Sequence, residues 1–569
     1  MLTDAETSRR VRTQARRGLW VALAWTMGVL LVALAMERWP DLVVPLRAGE
    51  RFDAAQARVD LDSIVGDGTP RVVGTDAARA GRDRIGGILE SLGLSVERHA
   101  VTLERGLPGG PVALENLVVR VPGTRGGEGA RIALVAHSDS VPGSPGAGDD
   151  GAGVASLVGV ARALRARPPA HDILLLVTDG EERGLLGARA FEATHPAAAA
   201  IELVVNLDAR GAAGPAMVYE TGPQSAWLAD RMAQALSAPR TQSLAVEAYR
   251  RMPNGSDFTV FLRAGRSGCN VAFIGDVAAY HSPQDTPQRL QDATLAHMGQ
   301  TALELVRAFD AALPAQPGAI PPGRAVWGDV LGLGILRWPE EATRPIALVA
   351  AAMLAICVVG TLLAGARRAD STTSVRAAAA AVLGAGGVIL AGGCIGWLFQ
   401  IATRALEVNM VNAPLRIAGM LMLLWIAAAL LVVALGALLA RRVGAGPLAA
   451  AVGAWTPWIA LAVAAAWLLP GISLPLVVPC VAAGVAAAAA RVRRGRDEPP
   501  TQQAQRIGRW CALGGYAAAA LVWIPLEMPL LDALGMGIGA LHGAAAALVL
   551  LGALPLVVGA VGERAGAGS

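Results

Sequence analysis

Ile132-Ala133-Leu134-Val135-Ala136-His137-Ser138-Asp139 and Ile173-Leu174-Leu175-Leu176-Val177-Thr178-Asp179-Gly180-Glu181-Glu182 share one pattern, an apolar run ending in a turn crowded with ligand-type side chains. A strand that is apolar on both faces is buried on both, as in a parallel sheet covered by helices. Leu203–Leu207 and Val271–Ile274 repeat the pattern. Between the runs lie stretches of helical period, among them Gly153–Ala166 and Leu290–Leu313. This alternation predicts an α/β domain with a mainly parallel central sheet and helices on both faces.

Outward from that core, the chain of 569 residues is too long for one hydrophobic core. Hydrophobic residues make up 54% and charged residues 17%, against roughly 45–50% and 25% in an ordinary soluble chain. That excludes a disordered, collagen-like or purely soluble protein. There is no lysine, so all 49 cationic residues are arginine. From Asp41 to Arg324 the chain holds 32 acidic and 27 arginine residues, and the remainder holds 13 acidic and 22 arginine residues. Arginine concentrated beside apolar runs points to membrane topology, and nucleic-acid binding gets no support. The five cysteines are scattered without a Cys-x-x-Cys pair, so they read as buried small apolar side chains.

Gly18–Met36 is uncharged and follows Arg9, Arg10, Arg12, Arg16 and Arg17. A run of this length crosses a hydrocarbon layer of ~30 Å and is longer than the apolar part of a cleavable signal. The expected layout is a cytoplasmic basic tail over 1–17, a transmembrane signal anchor over 18–36 and the α/β domain over 41–313. A Pro-rich linker over 314–344 and a seven-span membrane region over 345–562 complete it. The seven spans are placed near 345–365, 375–400, 416–440, 447–469, 471–490, 510–531 and 535–560. Arginine clusters at Arg367–Arg368, Arg441–Arg442 and Arg491–Arg496 then fall on the side of the amino terminus. The positive-inside rule therefore puts the α/β domain on the extracytoplasmic face. The lipid bilayer is thus an expected partner, and nothing in the pattern sets an oligomeric state.

Five motifs of the α/β domain carry candidate chemistry: His137-Ser138-Asp139, the glycine-rich turn around Asp149-Asp150, Glu181-Glu182, Asn206-Leu207-Asp208 and Tyr280-His281. Taken singly, each has a structural explanation, such as a capping aspartate or a solvated first helical turn. Taken together, they lie at or beyond the carboxyl ends of the predicted strands, where open parallel sheets gather their functional groups. Two imidazoles with aspartates and glutamates, and no thiolate, suit zinc before manganese or cobalt. Paired glutamates also allow one to ligate while the other works as a general base.

In order, spacing and local context, these motifs resemble the co-catalytic metallopeptidases of family M28, over roughly Ala55 to Leu313. That family includes di-zinc aminopeptidases, glutamate carboxypeptidase and glutaminyl cyclase. The resemblance implies two zinc ions and hydrolysis of a peptide substrate, most directly by an aminopeptidase. It assigns His137 and Asp208 to one ion, Glu182 and His281 to the other, and Asp149 as the bridge. The peptide Asp149–Asp150 would be cis, as in relatives. Glu181 would be the general base and Asp139 the partner of His137. Tyr280 would hydrogen-bond the tetrahedral intermediate. The arrangement of one anchor, an outward domain and many spans resembles the endoplasmic-reticulum and vacuolar membrane proteases of the family.

Three rivals stand beside this reading: glutaminyl cyclisation on one zinc, a non-catalytic binding ectodomain, and a peptidase accessory to a transporter bundle. Glu407, Glu527, Asp532 and His542 are few for an ion path. His99, His171, His195 and His297 read as surface or core histidines. Arg210 and Asp285 read as orienters or solvated charges, and Asp257 as a helix cap or pocket residue. Trp338 and Trp510 fit an interfacial belt.

Overall fold

The computed structural model describes Arg17, Ala35 and residues 20–33, 50–103, 111–125, 129–366, 371–405, 414–492, 500–534 and 539–565. The described chain separates into two units, Leu34–Glu340 and a second made of Met1–Ala33 with Glu341–Ser569.

The first unit is built on a seven-stranded sheet. Its strands are β1 (Val96–Leu103), β2 (Val112–Val121), β3 (Ile132–His137), β4 (Ile173–Thr178), β5 (Leu203–Ala209), β6 (Met217–Thr221) and β7 (Ser267–Phe273), in the order β1-β2-β4-β3-β5-β7-β6. β4, β3, β5 and β7 pair in parallel at the centre. β1 and β2 on one edge and β6 on the other pair antiparallel. The parallel character expected from the sequence is therefore confined to the four strands that are apolar on both faces. Every residue of β3, β4 and β7 is buried.

Alternate residues of β3–β5 feed two cores. Ile132, Leu134, Leu175 and Leu203 pack in the larger one, with residues of α2 (Ala54–Val65), α3 (Asp76–Ser91), α4 (Gly153–Ala166), α6 (Ser225–Ala235) and α9 (Asp292–Ala312). Ala133, Val135, Leu176 and Val204 pack in the smaller one, with α5 (Leu186–Thr194) and α8 (Asp257–Arg263). Helices thus cover both faces, as expected. A short helix, α7 (Ser243–Tyr249), packs at the β6 edge.

β7 starts at Ser267 instead of Val271, and Ile274 lies beyond its end. The signal was hidden by Gly268, whose φ of +126° and close approach suggest a turn. A β-carbon there would lie 1.9 Å from the main-chain oxygen of Val204, so only glycine lets β7 draw up to β5. The stretch 314–344, expected as a linker, carries an antiparallel pair, β8 (Ala325–Asp329) and β9 (Ile335–Pro339). Trp327 of β8 is buried and donates from Nε1 to Thr241 Oγ1 at 2.9 Å, so this pair belongs to the α/β unit.

The second unit is helical. Helix α1 (Trp20–Ala33) lies inside the expected anchor. It is followed by α10 (Thr343–Ala366), α11 (Ser371–Ala405), α12 (Pro414–Arg442), α13 (Pro447–Leu468), α14 (Leu474–Val492), α15 (Pro500–Leu534), α16 (Gly539–Leu551) and α17 (Leu554–Ala565). Five helices among the described residues are long and apolar enough to cross a membrane. α13 and α14 are separated by the single turn Pro470–Ile472. The last expected span, 535–560, is broken at Gly552–Ala553 into α16 and α17, a turn inside an unbroken apolar run that hydropathy cannot register.

Helices of this unit approach through glycine. A β-carbon on Gly396 would lie 1.9 Å from the Gly539 oxygen, and one on Gly543 2.0 Å from the Gly392 oxygen, so α11 and α16 meet backbone to backbone. α1 is tied to α15 by Trp25 Nε1 donating to the Ala517 oxygen at 3.1 Å and by Thr26 Oγ1 and Tyr516 Oη at 2.7 Å. The basic tail apart from Arg17, Arg367, Arg368, Arg493, Arg494, Arg496 and Glu407 lie outside the described residues.

Candidate metal centre

The parallel strands end together, and each delivers one motif to that edge. His137 is the last residue of β3, Glu181 and Glu182 follow β4, Asp208 is near the end of β5, and His281 lies in the segment after β7. Asp149 comes from the turn between β3 and α4. The carboxylate of Asp149 is shared: Oδ1 is 3.0 Å from His137 Nε2, and Oδ2 is 3.1 Å from His281 Nε2. Glu182 Oε2 is also 3.1 Å from His281 Nε2. One donor atom each from His137, Asp149 and Asp208 lies within 4.8 Å of the others, and the same holds for Asp149, Glu182 and His281. All five expected ligands therefore meet in two clusters joined by Asp149. His281 occupies the left-handed backbone region at φ +54°, unusual for a non-glycine residue and typical of strain held at a functional position.

The surrounding groups fix this geometry. His137 Nδ1 lies 3.1 Å from the main-chain oxygen of Asp139 and 3.5 Å from its Oδ1. A proton on Nδ1 leaves the Nε2 lone pair facing Asp149. The Asp139 carboxylate itself accepts from the amides of Glu181 at 3.0 Å and Glu182 at 3.2 Å. Its expected role as partner of His137 is shared by its main-chain oxygen and its Oδ1, while the same carboxylate holds the glutamate turn. Asp285, fully buried, accepts from the amides of Gly148 at 2.6 Å and Asp149 at 3.2 Å. Asp150 accepts from the amides of His137 and Gly153, so it caps α4. The peptide Asp149–Asp150 is cis.

Arg71 was not singled out in the sequence. It is buried, and its guanidinium donates to the oxygens of Ser138 at 2.8 Å, Pro145 at 2.6 Å and Gly146 at 2.9 Å. Its amide donates to Ser140 Oγ, and its oxygen accepts from the Ser140 amide. Both ends of the turn joining His137 to Asp149 are thereby clamped. Glycines leave room for it, since a β-carbon on Gly81 would lie 2.7 Å from Arg71 Cδ. Asp257 is buried and accepts from Thr178 Oγ1 at 2.5 Å, at the first turn of α8. Tyr280 stacks on His281 with ring centroids 3.7 Å apart, and the Arg210 guanidinium lies 5.9 Å from the Tyr280 ring.

The electrostatics ask for cations. Burial, and then Asp149, push the Asp208 carboxyl up to about 7. Burial likewise raises Glu181 well above the usual range and raises Glu182. Against its burial, hydrogen bonds from His137 and His281 hold Asp149 down to about 2. Against its own burial, His281 is drawn up to about 10 by Asp149 and Glu182. Glu182 Oε1 is buried and has no hydrogen-bond partner among the described residues. Crowded carboxylates, an orphaned carboxylate oxygen and two imidazoles aimed at one aspartate form a donor set that fits a pair of divalent ions.

The family model described as Peptidase family M28 matches residues 116–306. Endoplasmic reticulum metallopeptidase 1 of Rattus norvegicus is 29% identical over 365 residues, covering 59% of this chain and 40% of the relative. Vacuolar membrane protease of Candida albicans (strain WO-1) is 30% identical over 194 residues, covering 34% of this chain and 23% of the relative. A crystal structure of Fimbriiglobus ruber glutaminyl cyclase overlays with a TM-score of 0.38 at 18% identity, over 46% of this chain and 98% of that one. This chain therefore matches well under half the length of those two relatives. With ligand-type residues at every parallel strand end and the family model spanning them, the chain carries a peptidase family M28 domain.

Proposed function

We propose that this chain is a membrane-bound, zinc-dependent exopeptidase, an aminopeptidase, that cleaves peptides on the extracytoplasmic side of a bilayer. The observation that carries the reading is the Asp149 carboxylate, which offers one oxygen to the His137 cluster and the other to the His281 cluster. His137, Asp149 and Asp208 would hold one zinc ion, and Asp149, Glu182 and His281 the second. When bound, the ions supply a water acidic enough to ionise near neutral pH and an electrophile for the scissile carbonyl.

The chain's own residues do the rest. The amide of Glu181 is fixed by Asp139, and its buried carboxylate interacts electrostatically with His137 and Asp208 of the first cluster. Burial gives that carboxyl a high proton affinity, suited to taking a proton from water and handing it to the leaving amine. Tyr280, steadied by stacking on His281, is the donor for the developing oxyanion. Asp285 and Arg71 hold the turn that carries Asp149. The outward orientation rests on the arginine distribution between the apolar helices.

The test is metal analysis of the full chain in detergent together with a panel of aminoacyl and peptidyl amides. Two zinc ions per chain and chelator-sensitive release of amino-terminal residues support the reading. One zinc with pyroglutamate formation points instead to cyclisation, and a chain with no bound metal to a binding ectodomain.

A further inference from the structure

We propose that Glu220, framed by Tyr219 and Tyr249, is the specificity subsite of the metal centre and receives a basic substrate side chain, lysine or arginine. This rests on the hydrolase reading above and names which peptides that site selects.

The placement follows from sheet register. Asn206 stands two residues before Asp208 on β5, so their side chains share a face. Asn206 Nδ2 donates to Asn270 Oδ1 on β7 at 3.0 Å, and Asn270 Nδ2 lies 3.3 Å from Glu220 Oε2 on β6. Glu220 therefore sits on the face that bears Asp208, two strands along. Neighbouring strands lie ~4.8 Å apart, which puts the carboxylate about 10 Å to the side of the metal ligands. That is within reach of the four-carbon stem of a lysine, or of an arginine, whose carbonyl lies at the metals.

The carboxylate is buried at 6% exposure and forms no ion pair among the described residues. Its nearby cation is committed elsewhere, since Arg250 donates to Glu247 Oε1 at 3.2 Å and to the Thr221 oxygen at 3.2 Å. Its one hydrogen bond is contested. Asn270 Nδ2 has two protons but lies at 2.6 Å from Tyr219 Oη and 2.7 Å from Ser256 Oγ, both nearer than Glu220. A carboxylate so enclosed and so poorly served is stabilised by a cation brought from outside. Burial accordingly lifts it to about 7 in the free protein.

The walls suit that guest. Tyr219 and Tyr249 meet edge to face with centroids 4.7 Å apart, and both are only half-buried. Aromatic faces beside a carboxylate receive the stem and the charge of a basic side chain. The tyrosines also lie between the two regions electrostatically. After burial, the hydroxyl of Tyr249 is raised by Glu220 and Asp208, and that of Tyr219 by Asp208.

The experiment uses the full chain in detergent, loaded with zinc, with arginyl, lysyl, leucyl and alanyl p-nitroanilides. The expected result is a kcat/KM for the arginyl and lysyl compounds above that for the leucyl one. Glu220→Gln should lower the two basic substrates by about 10–100-fold, the loss of a charge-assisted hydrogen bond, and leave leucyl hydrolysis within about threefold. Leucyl turnover and metal content of the same preparation show that the variant is folded. Hydrolysis of leucyl without preference for basic compounds, or an equal fall on all four in the variant, overturns the subsite while leaving the peptidase intact. Failure to cleave any anilide or peptide with both metals bound overturns the peptidase reading and the subsite with it.

Discussion

The carboxylate of Asp139 grips the amide of Glu181 at 3.0 Å and that of the next residue at 3.2 Å, so the proposed base and a proposed ligand hang from one side chain. Asp139→Asn leaves a single acceptor for two amides. Stranding a buried donor costs about 1–3 kcal/mol, so kcat should fall roughly 10–100-fold. Metal content should hold, because His137 leans on the main-chain oxygen of residue 139, which the substitution spares. An Asp139→Asn enzyme with unchanged kcat would falsify this account of the turn.

Glu181→Gln keeps the shape of the turn and removes the proton acceptor. Zinc content should stay at the wild-type level while kcat drops by about 10²–10⁴-fold, the usual worth of general acid–base catalysis. Steady-state kinetics with metal analysis on the same sample decides it, and undiminished turnover would assign the base elsewhere.

Arg71→Met deletes three hydrogen bonds to the turn between His137 and Asp149. Zinc affinity, read by chelator competition, should weaken about 10–100-fold, as for other groups that orient metal ligands. Gly81→Ala presses on the same guanidinium stem without deleting it, so it should move affinity the same way by less. Unaltered affinity in both variants would reduce Arg71 to core filler.

His297 gives the α/β unit an acid-sensitive stability that is independent of the metals. Its Nδ1 accepts from the Ala216 amide at 3.1 Å, and its Nε2 donates to the Ala238 oxygen at 3.0 Å, so the buried ring is neutral. Burial, and then Arg240, lower it from 6.5 to about 4. Its folded-state value lies below the unfolded one, so the stabilisation is complete above pH 6.5. It fades as pH falls toward 4, by up to roughly 3 kcal/mol. Unfolding midpoints of the metal-free chain between those limits should slope for wild type and flatten for His297→Gln. Equal slopes would exclude His297 as the source.

Topology can be read with reporters. A fluorescent protein inserted at Gly444, just after Arg441 and Arg442, should fold in the cytoplasm, and alkaline phosphatase inserted in the turn Pro470–Ile472 should be active outside. The opposite pair of results would invert the orientation proposed for the peptidase domain.

The ligands could be read in the sequence because each follows an apolar run that ends where a buried strand must end. His137 at the end of β3 and Glu182 after β4 are placed by local pattern alone. Helix α4 over Gly153–Ala166 was visible for the same reason, its period being unbroken. Arg71 was not, because an arginine is buried only by what the rest of the chain brings to it. The slot beside Gly81 arises from packing between segments remote in sequence. Half of the role of Asp139 was hidden likewise: spacing suggested its nearest histidine, and the carboxylate also reaches amides 42 and 43 residues away. The hairpin β8–β9 lay behind a proline-rich stretch, and the break between α16 and α17 lay in a run without polar punctuation.

The interleaved strand order has a kinetic consequence. β3 is flanked by β4 and β5, and β5 by β7, so the edges bearing His137 and Asp208 are completed by chain synthesised later. Local helices such as α4 can nucleate early, but bringing residues 137 and 281 together requires closing a long loop. Renaturation should therefore restore circular dichroism well ahead of turnover. The proposed metal centre would stay incomplete until β7 docks and brings in the segment with His281, a delay that would shield a cell from a half-made hydrolase.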